Sequence, residues 1–301
     1  MSTTTSPTVG VLYPGEMGAA VAALLRGRGT AVVTTAHGRS GATAERCAAS
    51  GATVVDSLAE VVRRSDVLIA LVVPDAAEDV ARQYCAAAHL APPGAVYVDA
   101  NSIGPARVAA IGRRVEAAGR AFVDGSINGL AKNLAASGTL YLSGRRAAEV
   151  ARPFEGATRV RVLGDEVGRA SAMKMLLGGL SKGLCALFVE LAVVAEGHGL
   201  LEEMLEAARR TYGGVTAVAE RMLPTYPRHA GRRYSEMSEL EATARGAGLT
   251  PHVIDGVVQF HEALAQAMPA GEQAATTAGA EGDLTALIRL LAERMNEPEV
   301  V

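Results

Sequence analysis

The 301-residue sequence has little of several residue types, and each shortage excludes a class of protein. Aromatic residues make up 4% and tryptophan is absent, which leaves no stacking platform for nucleic acid. A formal net charge of −3 gives no basic stripe, so no nucleic-acid partner is expected. No apolar run approaches the ~18 uncharged residues of a membrane span, and the start "MSTTTSPT" lacks the order of a secretory signal.

Metal and disulfide sites are not expected either. Three widely spaced cysteines suit neither a disulfide framework nor a zinc site, and they fit a reducing cytoplasm. The histidines show no metal-ligand spacing such as HExxH, and no GxSxG nucleophile elbow is present. A cytoplasmic protein with a small-molecule partner is therefore expected.

Lysine is scarce. Only Lys132, Lys174 and Lys182 among the 29 basic residues are lysine, and the others are arginine. The pKa of a lysine can shift into the range of proton transfer, whereas arginine stays charged. Each lysine is therefore a candidate functional residue, with incidental placement as the alternative. A solvated loop residue is the favoured interpretation of Lys132.

The first half of the chain alternates strand patterns with helix patterns. Near-continuous apolar runs such as "DVLIALVV" are typical of strands buried on both faces of a parallel sheet. The predicted strands cover 8–12, 30–35, 66–73, 95–100, 121–125, 139–144 and 159–164. The predicted helices between them cover 17–29, 42–50, 58–64 and 105–118. This alternation predicts an α/β fold, with a Rossmann-like doubly wound sheet over residues 1–164.

After residue 164 the convincing strands end and helical patterns take over. The predicted helices cover 167–196, 200–211, 215–222, 235–245 and 251–268. The segment 270–282 is predicted to be a flexible linker before a last amphipathic helix, 283–295. The sequence therefore predicts an all-α second domain over residues 165–301.

The stretch "VLYPGEMG" connects the first strand to the first helix. A glycine-containing turn there places backbone N–H groups at the positive end of a helix, which suits a pyrophosphate. Gly15 and Gly18 keep the spacing of the second and third fingerprint glycines, but Tyr13 occupies the first position. Pro14 fixes its own φ and removes one amide. An altered dinucleotide cradle is predicted, with an ordinary turn as the alternative; its residues are Tyr13, Pro14, Gly15, Glu16, Met17 and Gly18.

The residues "HGRS" after the second strand predict which dinucleotide is bound. An acidic residue here would bind a ribose hydroxyl, as NAD selection requires. His37, Arg39 and Ser40 instead offer positive and hydrogen-bonding groups. The planar fork of an arginine suits a 2′-phosphate. NADP(H) is therefore expected in preference to NAD(H), and a solvated arginine is the alternative.

Six motifs occur in one order along the chain: "VGVLYPGEMG", "VVP", "VDANS", "VDGSING", "SGTLYLSG" and "GRASAMKM". Over about 8–264 they resemble the β-hydroxyacid dehydrogenases, whose superfamily includes 6-phosphogluconate dehydrogenase and the imine reductases. The second half looks most like the phosphogluconate-dehydrogenase-type C-terminal domain of a poorly characterised branch. The resemblance implies a helical domain for substrate binding and homodimer formation. It also implies that Val73 and Pro74 pass the cofactor, and that Asn101 and Ser102 lie beside the nicotinamide ribose.

The resemblance places the family's catalytic lysine at Lys174. Its implied role is to donate a proton to a carbonyl oxygen in reduction and to accept one from a hydroxyl in oxidation. Burial near a cofactor cleft would lower the pKa of this lysine toward neutrality. The family's substrate-binding segment falls on Ser126, Asn128 and Gly129, with Ser126 as the matching hydroxyl for a substrate carboxylate.

Lys182 lies eight residues after Lys174, so both lie close to one helix face together with Gly178. Two lysines on one face would lower each other's pKa. Alternatively, Lys182 holds an anionic substrate group or an interface carboxylate.

Two departures from the family pattern affect the expected substrate. The family's asparagine, four residues after the catalytic lysine, is Gly178 here, which removes a hydrogen-bond donor and opens space. The family's "KDL" element becomes "SEM" at 235–237. Glu236 and Glu239 are candidates for binding an amine, with carboxylates on a helix surface as the alternative. Both departures argue against an ordinary small 3-hydroxyacid, whereas Lys174 argues against a typical imine reductase.

The expected function is NADPH-dependent reduction of a carbonyl, or oxidation of a hydroxyl, in a small anionic substrate. Imine reduction in a biosynthetic pathway and a non-catalytic NADP-binding sensor or scaffold are the alternatives.

Overall fold

A computed structural model describes residues 6–226, 229–268 and 283–295. The chain forms two compact units that are divided between Met175 and Leu176, inside its longest helix. The sequence predicted a domain boundary after residue 164. That position lies between the strand Arg159–Val162 and the start of this long helix. The predicted linker at 270–282 lies outside the described residues.

The first unit contains a sheet with the strand order β3-β2-β1-β4-β5-β6-β7-β8. Its neighbouring strands are parallel except β6 and β7, which are antiparallel. The central strands β1 and β4 are buried along their whole length, as expected of strands covered on both faces. The strands are β1 (Val9–Leu12), β2 (Val32–Thr34), β3 (Thr53–Val54), β4 (Val67–Ala70), β5 (Val96–Asp99), β6 (Ala121–Asn128), β7 (Thr139–Ser143) and β8 (Arg159–Val162).

Helices pack on both faces of this sheet, which confirms the predicted doubly wound α/β fold. Residues of α1, including Val21 and Leu25, join one apolar cluster, and residues of α4 and α5, including Val80 and Ile111, join the other. The helices of this unit are α1 (Glu16–Gly27), α2 (Gly41–Ala49), α3 (Leu58–Arg64), α4 (Ala77–Ala87), α5 (Pro105–Ala117), α6 (Leu134–Ser137) and α7 (Ala147–Ala151). Short 3₁₀ turns cover Pro74–Ala76, Ala88–Leu90, Ala131–Asn133 and Arg152–Phe154.

Several elements of the first unit differ from the sequence prediction, and the short helices α6 and α7 are among those that were not predicted. The edge strand β3 and the helix α4 were not predicted, because β3 has only two residues and α4 begins close behind Pro74. The strand predicted at 121–125 continues to Asn128, because β6 pairs with β7 beyond the end of its pairing with β5. Ser126 therefore lies inside a strand.

The second unit contains helices in the part that the structure describes. The long helix α8 (Arg169–Gly197) begins in the first unit and ends in the second. An apolar core that includes Val189, Leu205, Phe260 and Ile288 joins its elements. The other helices are α9 (Leu201–Thr211), α10 (Gly213–Met222), α11 (Ala230–Gly246), α12 (His252–Ala267) and α13 (Leu284–Met295), with a 3₁₀ turn at Leu223–Thr225.

The helix α8 is long and apolar enough to cross a membrane by length and composition alone. Of its most apolar 18-residue window, 39% is buried inside the protein. Its residues Cys185, Val189 and Ala192 are fully buried in the core of the second unit. These contacts are those of a helix that packs into a protein core.

Candidate cofactor and substrate site

The carboxyl edge of the sheet, defined here by the ends of β1, β2, β4 and β5, gathers most of the predicted site residues. In a doubly wound sheet the ligand crevice lies at this edge, where the strand order reverses. The reversal here lies between β1 and β4. The loop 13–18 follows β1, 37–40 follows β2, 73–74 follows β4 and 101–102 follows β5.

The loop after β1 makes a tight turn into α1. The Leu12–Tyr13 peptide bond is cis, and the Gly15 N–H donates to the Tyr13 carbonyl at 2.7 Å. Tyr13 and Pro14 are buried, and Gly15 is the N-terminal cap of α1. A Cβ on Gly18 would lie 2.9 Å from the Tyr13 carbonyl oxygen, so only glycine fits this close approach. Glu16 and Met17 form the first turn of the helix.

The backbone of this loop is of the kind that holds the phosphates of a dinucleotide. A Cβ on Gly15 would have nothing within 4 Å, so that position is open on the side where a ligand would approach. The loop leads directly into the N-terminus of a 12-residue helix. Backbone N–H groups at such an end attract phosphate oxygens. The two glycines therefore differ in role. Gly18 allows the helix to approach the Tyr13 carbonyl closely, and Gly15 leaves open space for a ligand.

The arginine predicted to select the cofactor lies on the tyrosine of the loop. The guanidinium carbon of Arg39 is 3.8 Å from the centroid of the Tyr13 ring. Ser40 is the N-terminal cap of α2 and accepts a hydrogen bond from the Thr43 N–H at 3.3 Å. The exposed His37 donates its backbone N–H to Thr35 Oγ1 at 3.2 Å. The "HGRS" segment thus joins the first loop through Arg39.

Asn101 holds two loops of the carboxyl edge together. Its Oδ1 accepts the Val72 N–H at 2.7 Å, and its own N–H donates to Asp99 Oδ1 at 3.1 Å. Asn101 Nδ2 and Asp99 Oδ2 are buried without a hydrogen-bond partner. A buried polar atom without a hydrogen-bond partner costs folding free energy. A polar ligand bound at this edge would supply partners for these two atoms. Burial raises the pKa of Asp99 to about 7, although the Asn101 N–H opposes this rise.

The other two loop positions are more open. Val73 is 65% exposed although it is apolar, and Pro74 begins a 3₁₀ turn. The carbonyl of Pro74 accepts a hydrogen bond from Arg107 at 3.3 Å. Ser102 is half-buried at the start of the segment that leads into α5.

Lys174 lies against the predicted substrate segment. Its Nζ donates to the carbonyl oxygen of Ile127 at 2.6 Å, directly before Asn128 and Gly129. The side chain of Asn128 is exposed at the end of β6, and Gly129 has a φ of +128°, which favours glycine. The structure therefore brings Lys174 together with Asn128 and Gly129.

Ser126 lies on the same strand, but its hydroxyl has a protein partner. It is 1% exposed and donates to the Ala170 carbonyl at 2.7 Å, which ties β6 to the start of α8. Its proposed contact with a substrate carboxylate stays a prediction. Lys132 is exposed in the 3₁₀ turn that follows Gly129.

Gly178 and Lys182 belong to the second unit and contact each other. Lys182 Nζ lies 3.4 Å from the Gly178 carbonyl and 2.9 Å from Glu236 Oε2. A Cβ on Gly178 would lie 3.1 Å from Lys182 Nζ. The ammonium group thus occupies the space beside the missing side chain, and its charge is paired with a carboxylate.

Sequence reasoning missed two buried acids and one histidine. Asp124 lies within β6 and accepts hydrogen bonds from the start of α8, and Asp99 is the last residue of β5. Each follows a valine in a strand pattern, which was an available signal. Burial raises the pKa of Asp124 as well, against hydrogen bonds from Ser171 that lower it.

In the second unit, burial lowers the pKa of His261 to about 4. Arg233 stacks on Tyr226 beside it at 3.7 Å.

No group of three or more histidine, cysteine, aspartate or glutamate side chains within the described residues is placed to hold an ion. Cys47, Cys85 and Cys185 are all free thiols.

Comparison with known proteins identifies two family regions. Residues 8–153 match the NAD binding domain of 6-phosphogluconate dehydrogenase. Residues 195–264 match a domain of unknown function, DUF1932. The first region contains the loop 13–18, Arg39 and Asn101.

Solved structures extend the likeness over both units. The chain is 32% identical to the conserved protein MTH1747 of unknown function, whose structure is described as similar to 3-hydroxyacid dehydrogenases; the match covers 88% of this chain and 98% of that one, with a TM-score of 0.67. A Mycobacterium tuberculosis 3-hydroxyisobutyrate dehydrogenase with L-serine is 20% identical, over 95% and 99% of the two chains, with a TM-score of 0.73. A Myxococcus stipitatus imine reductase with NADP⁺ is 23% identical, over 95% and 100%, with a TM-score of 0.59.

The last two likenesses show the fold alone, whereas the first spans nearly the whole of a relative. Together with the matched NAD-binding domain, it establishes the family. The chain belongs to the 6-phosphogluconate dehydrogenase-like superfamily of NAD(P)-dependent dehydrogenases and reductases.

Proposed function

We propose that the protein is an NADPH-dependent oxidoreductase that reduces a carbonyl, or oxidises a hydroxyl, in a small anionic substrate. One observation carries this proposal. Lys174 Nζ donates to the Ile127 carbonyl at 2.6 Å, in the same compact unit as the dinucleotide loop. The lysine is therefore held next to Asn128 and Gly129, where the family resemblance expects the substrate.

The residues of the carboxyl edge would hold the cofactor. The loop at Gly15 offers backbone N–H groups to the pyrophosphate, and Arg39 offers its guanidinium to a 2′-phosphate. Asn101 Nδ2 is a buried donor in need of an acceptor. Bound nicotinamide would supply or accept the hydride.

Lys174 would exchange the proton. An ammonium group has three donors, so one N–H can stay on the Ile127 carbonyl while another reaches a substrate oxygen. The bond to the main chain fixes the position of Nζ, which general acid catalysis requires. In the oxidative direction the neutral amine would accept the hydroxyl proton. Asn128 and the backbone at Gly129 would contact the anionic group of the substrate.

The preference for NADPH rests on charge and shape. Segment 37–40 carries no carboxylate, and Arg39 is exposed. A carboxylate there would repel a 2′-phosphate, whereas a guanidinium can bind it with two parallel hydrogen bonds. NADPH is therefore the proposed cofactor, and the cytoplasm, where the three thiols stay reduced, is the proposed location.

Substitution of Lys174 tests the proposal. Lys174→Arg keeps the positive charge and the bond to a carbonyl but does not release a proton near neutral pH. We expect it to lower kcat by roughly 10²- to 10⁴-fold, with the NADPH affinity unchanged. Lys132→Arg, on the exposed turn after the substrate segment, is the matched control and should keep full turnover. Equal turnover by both variants would exclude Lys174 as the proton donor.

Imine reduction is the second candidate. It is favoured by the glycine at position 178, where the family resemblance expects an asparagine that donates a hydrogen bond to the substrate. Keto acids, aldehydes and cyclic imines assayed side by side with NADPH distinguish the two reactions. Turnover of cyclic imines alone would exclude the carbonyl proposal. NADPH binding without turnover of any of these classes would favour a sensor or scaffold.

We also propose a homodimer formed through α8. Five apolar side chains on this helix are more than half exposed, with a spacing of three, four or seven residues: Leu176, Leu180, Leu187, Leu191 and Val194. A row of exposed apolar side chains on one helix is a feature of many subunit interfaces. Light scattering on the wild type and on Leu187→Glu would test this, and a monomeric wild type at micromolar concentration would exclude it.

A further inference from the structure

We propose that Tyr13 determines cofactor specificity by holding Arg39 in position for the 2′-phosphate. This inference rests on the proposed NADPH dependence and adds a residue and a mechanism to it. Tyr13 stands where the dinucleotide fingerprint has its first glycine, and a glycine has no side chain to act as a support. The observation behind the proposal is the stacking of the Arg39 guanidinium on the Tyr13 ring at 3.8 Å.

The Tyr13 ring is a fixed platform. Tyr13 is only 6% exposed and belongs to the same apolar cluster as Leu12 and Val33. Its carbonyl accepts the Gly15 N–H at 2.7 Å, so its main chain is part of the loop. Since both the ring and the backbone are held, a group that stacks on the ring takes its position from the loop itself.

Arg39, in contrast, depends on that ring. Its side chain is exposed and makes no hydrogen bond or ion pair with any residue that the structure describes. A free arginine side chain carries considerable rotamer entropy, which binding of a phosphate would have to overcome. Stacking restricts that freedom before the ligand arrives.

The stacked geometry also leaves the right atoms available. A guanidinium that lies flat on an aromatic ring uses its face, and its N–H donors point outward in its own plane. Those donors are the ones that bind phosphate oxygens in a bidentate manner. The tyrosine therefore supports the arginine without competing for its hydrogen bonds. The Tyr13 hydroxyl makes no hydrogen bond within the described residues, so the ring carries the effect.

Calorimetric titration of the full-length protein with NADP⁺ and with NAD⁺, in separate experiments, tests the proposal. Tyr13→Leu keeps an apolar side chain but removes the aromatic face. We expect it to weaken NADP⁺ binding by about fivefold and to change NAD⁺ binding by less than about twofold. Tyr13→Phe keeps the ring and is the matched control, with both affinities within about twofold of the wild type.

A double-mutant cycle separates this mechanism from a general effect on the loop. In the Arg39→Ala background the Tyr13→Leu substitution should change NADP⁺ affinity by less than about twofold, because the supported group is absent. Circular dichroism and thermal unfolding of each variant check that the fold is kept. An equal loss of NADP⁺ and NAD⁺ binding, or an undiminished effect of Tyr13→Leu without Arg39, would overturn the inference.

The outcomes also distinguish this inference from the proposed function. A wild type that binds NADP⁺ tightly but shows no coupling between the two residues would refute only the role of Tyr13. A wild type that binds neither dinucleotide would refute both. Tighter NADP⁺ binding by Tyr13→Gly would show that the ring obstructs the cofactor, and it would also overturn the inference.

Discussion

Asp124 and Ser171 are joined by a 2.6 Å hydrogen bond from the Ser171 hydroxyl to Asp124 Oδ1. The other carboxylate oxygen accepts the backbone N–H groups of Gly168, Ala170 and Ser171 at 2.9 to 3.1 Å. A strand residue therefore caps the helix that carries Lys174. The first N–H groups of a helix lack partners within the helix, and a negative charge near them is favourable.

Removal of this cap is expected to destabilise the first unit. Asp124→Ala leaves several buried N–H donors without an acceptor, so we expect a loss of about 3 kcal/mol in the free energy of unfolding. Asp124→Asn keeps one oxygen acceptor and should lose about 1 kcal/mol. Urea denaturation followed by circular dichroism measures both. Equal stability of the alanine variant and the wild type would show that the cap is dispensable.

Asp99 makes the stability of the protein depend on pH. The carboxyl has a pKa of about 7 in the folded protein, against an ordinary value of 3.8, so the folded state binds the proton more tightly. Stability therefore decreases as the pH rises from about 4 to 7 and stays lower above that range. Asp99→Asn should stabilise the protein by roughly 2 to 4 kcal/mol at pH 8 and by much less at pH 4.

Denaturation of wild type and Asp99→Asn at both pH values provides the measurement. The variant keeps an oxygen for the Asn101 N–H, so the main difference is the charge. The same stabilisation at both pH values would contradict a perturbed carboxyl and indicate a packing effect instead.

His261 is expected to lower the stability of the protein as the pH falls, which is opposite to the effect of Asp99. Its side chain is fully buried, Nδ1 lies 2.8 Å from the Val257 carbonyl, and burial lowers its pKa to about 4. The unfolded chain binds a proton near 6.5, so stability falls as the pH drops from about 6.5 to 4. The loss from this group would reach about 3 kcal/mol at pH 4. His261→Leu should flatten the pH dependence in that interval, and an unchanged slope would exclude His261 as its source.

The two loop glycines should respond differently to the same substitution. Gly18→Ala places a Cβ 2.9 Å from the Tyr13 carbonyl oxygen, so we expect lower stability, by about 1 to 3 kcal/mol. Gly15→Ala meets no protein atom within 4 Å and should unfold at the wild-type temperature. If the space at Gly15 holds a phosphate, this variant binds NADPH at least tenfold more weakly, by about 1.4 kcal/mol. Thermal unfolding with and without NADPH separates the two effects, and intact NADPH binding by Gly15→Ala would place the phosphates elsewhere.

Much of the first unit could be predicted from the sequence because buried parallel strands leave an apolar signal. The strands of "DVLIALVV" and "AVYVDA" lie where that pattern placed them. The strand β3 could not be recognised, since Thr53 and Val54 are exposed and too few to form a pattern. The end of β6 could not be recognised either, because its last residues are fixed by pairing with β7, eleven or more residues further along the chain.

For the candidate site, the sequence could predict which loops carry the residues but not which contacts their side chains make. The loop at 13–18 and Arg39 were located from their places after β1 and β2. The stacking of Arg39 on Tyr13 depends on side-chain directions from two separate loops, which no local pattern encodes. The same holds for Ser126, whose hydroxyl is directed to Ala170 by the long β6 strand.

The bond from Lys174 to the Ile127 carbonyl has a consequence for how the protein could change its substrate. A main-chain carbonyl is present whatever residue occupies position 127 or 128, so the anchor of Lys174 does not constrain side-chain identity there. The exposed side chain of Asn128 is thus free to vary while the lysine stays in place. If Lys174 is the proton donor that we propose, libraries randomised at position 128 should yield altered substrate ranges while Lys174 stays in place, which makes this strand end a suitable starting point for directed evolution.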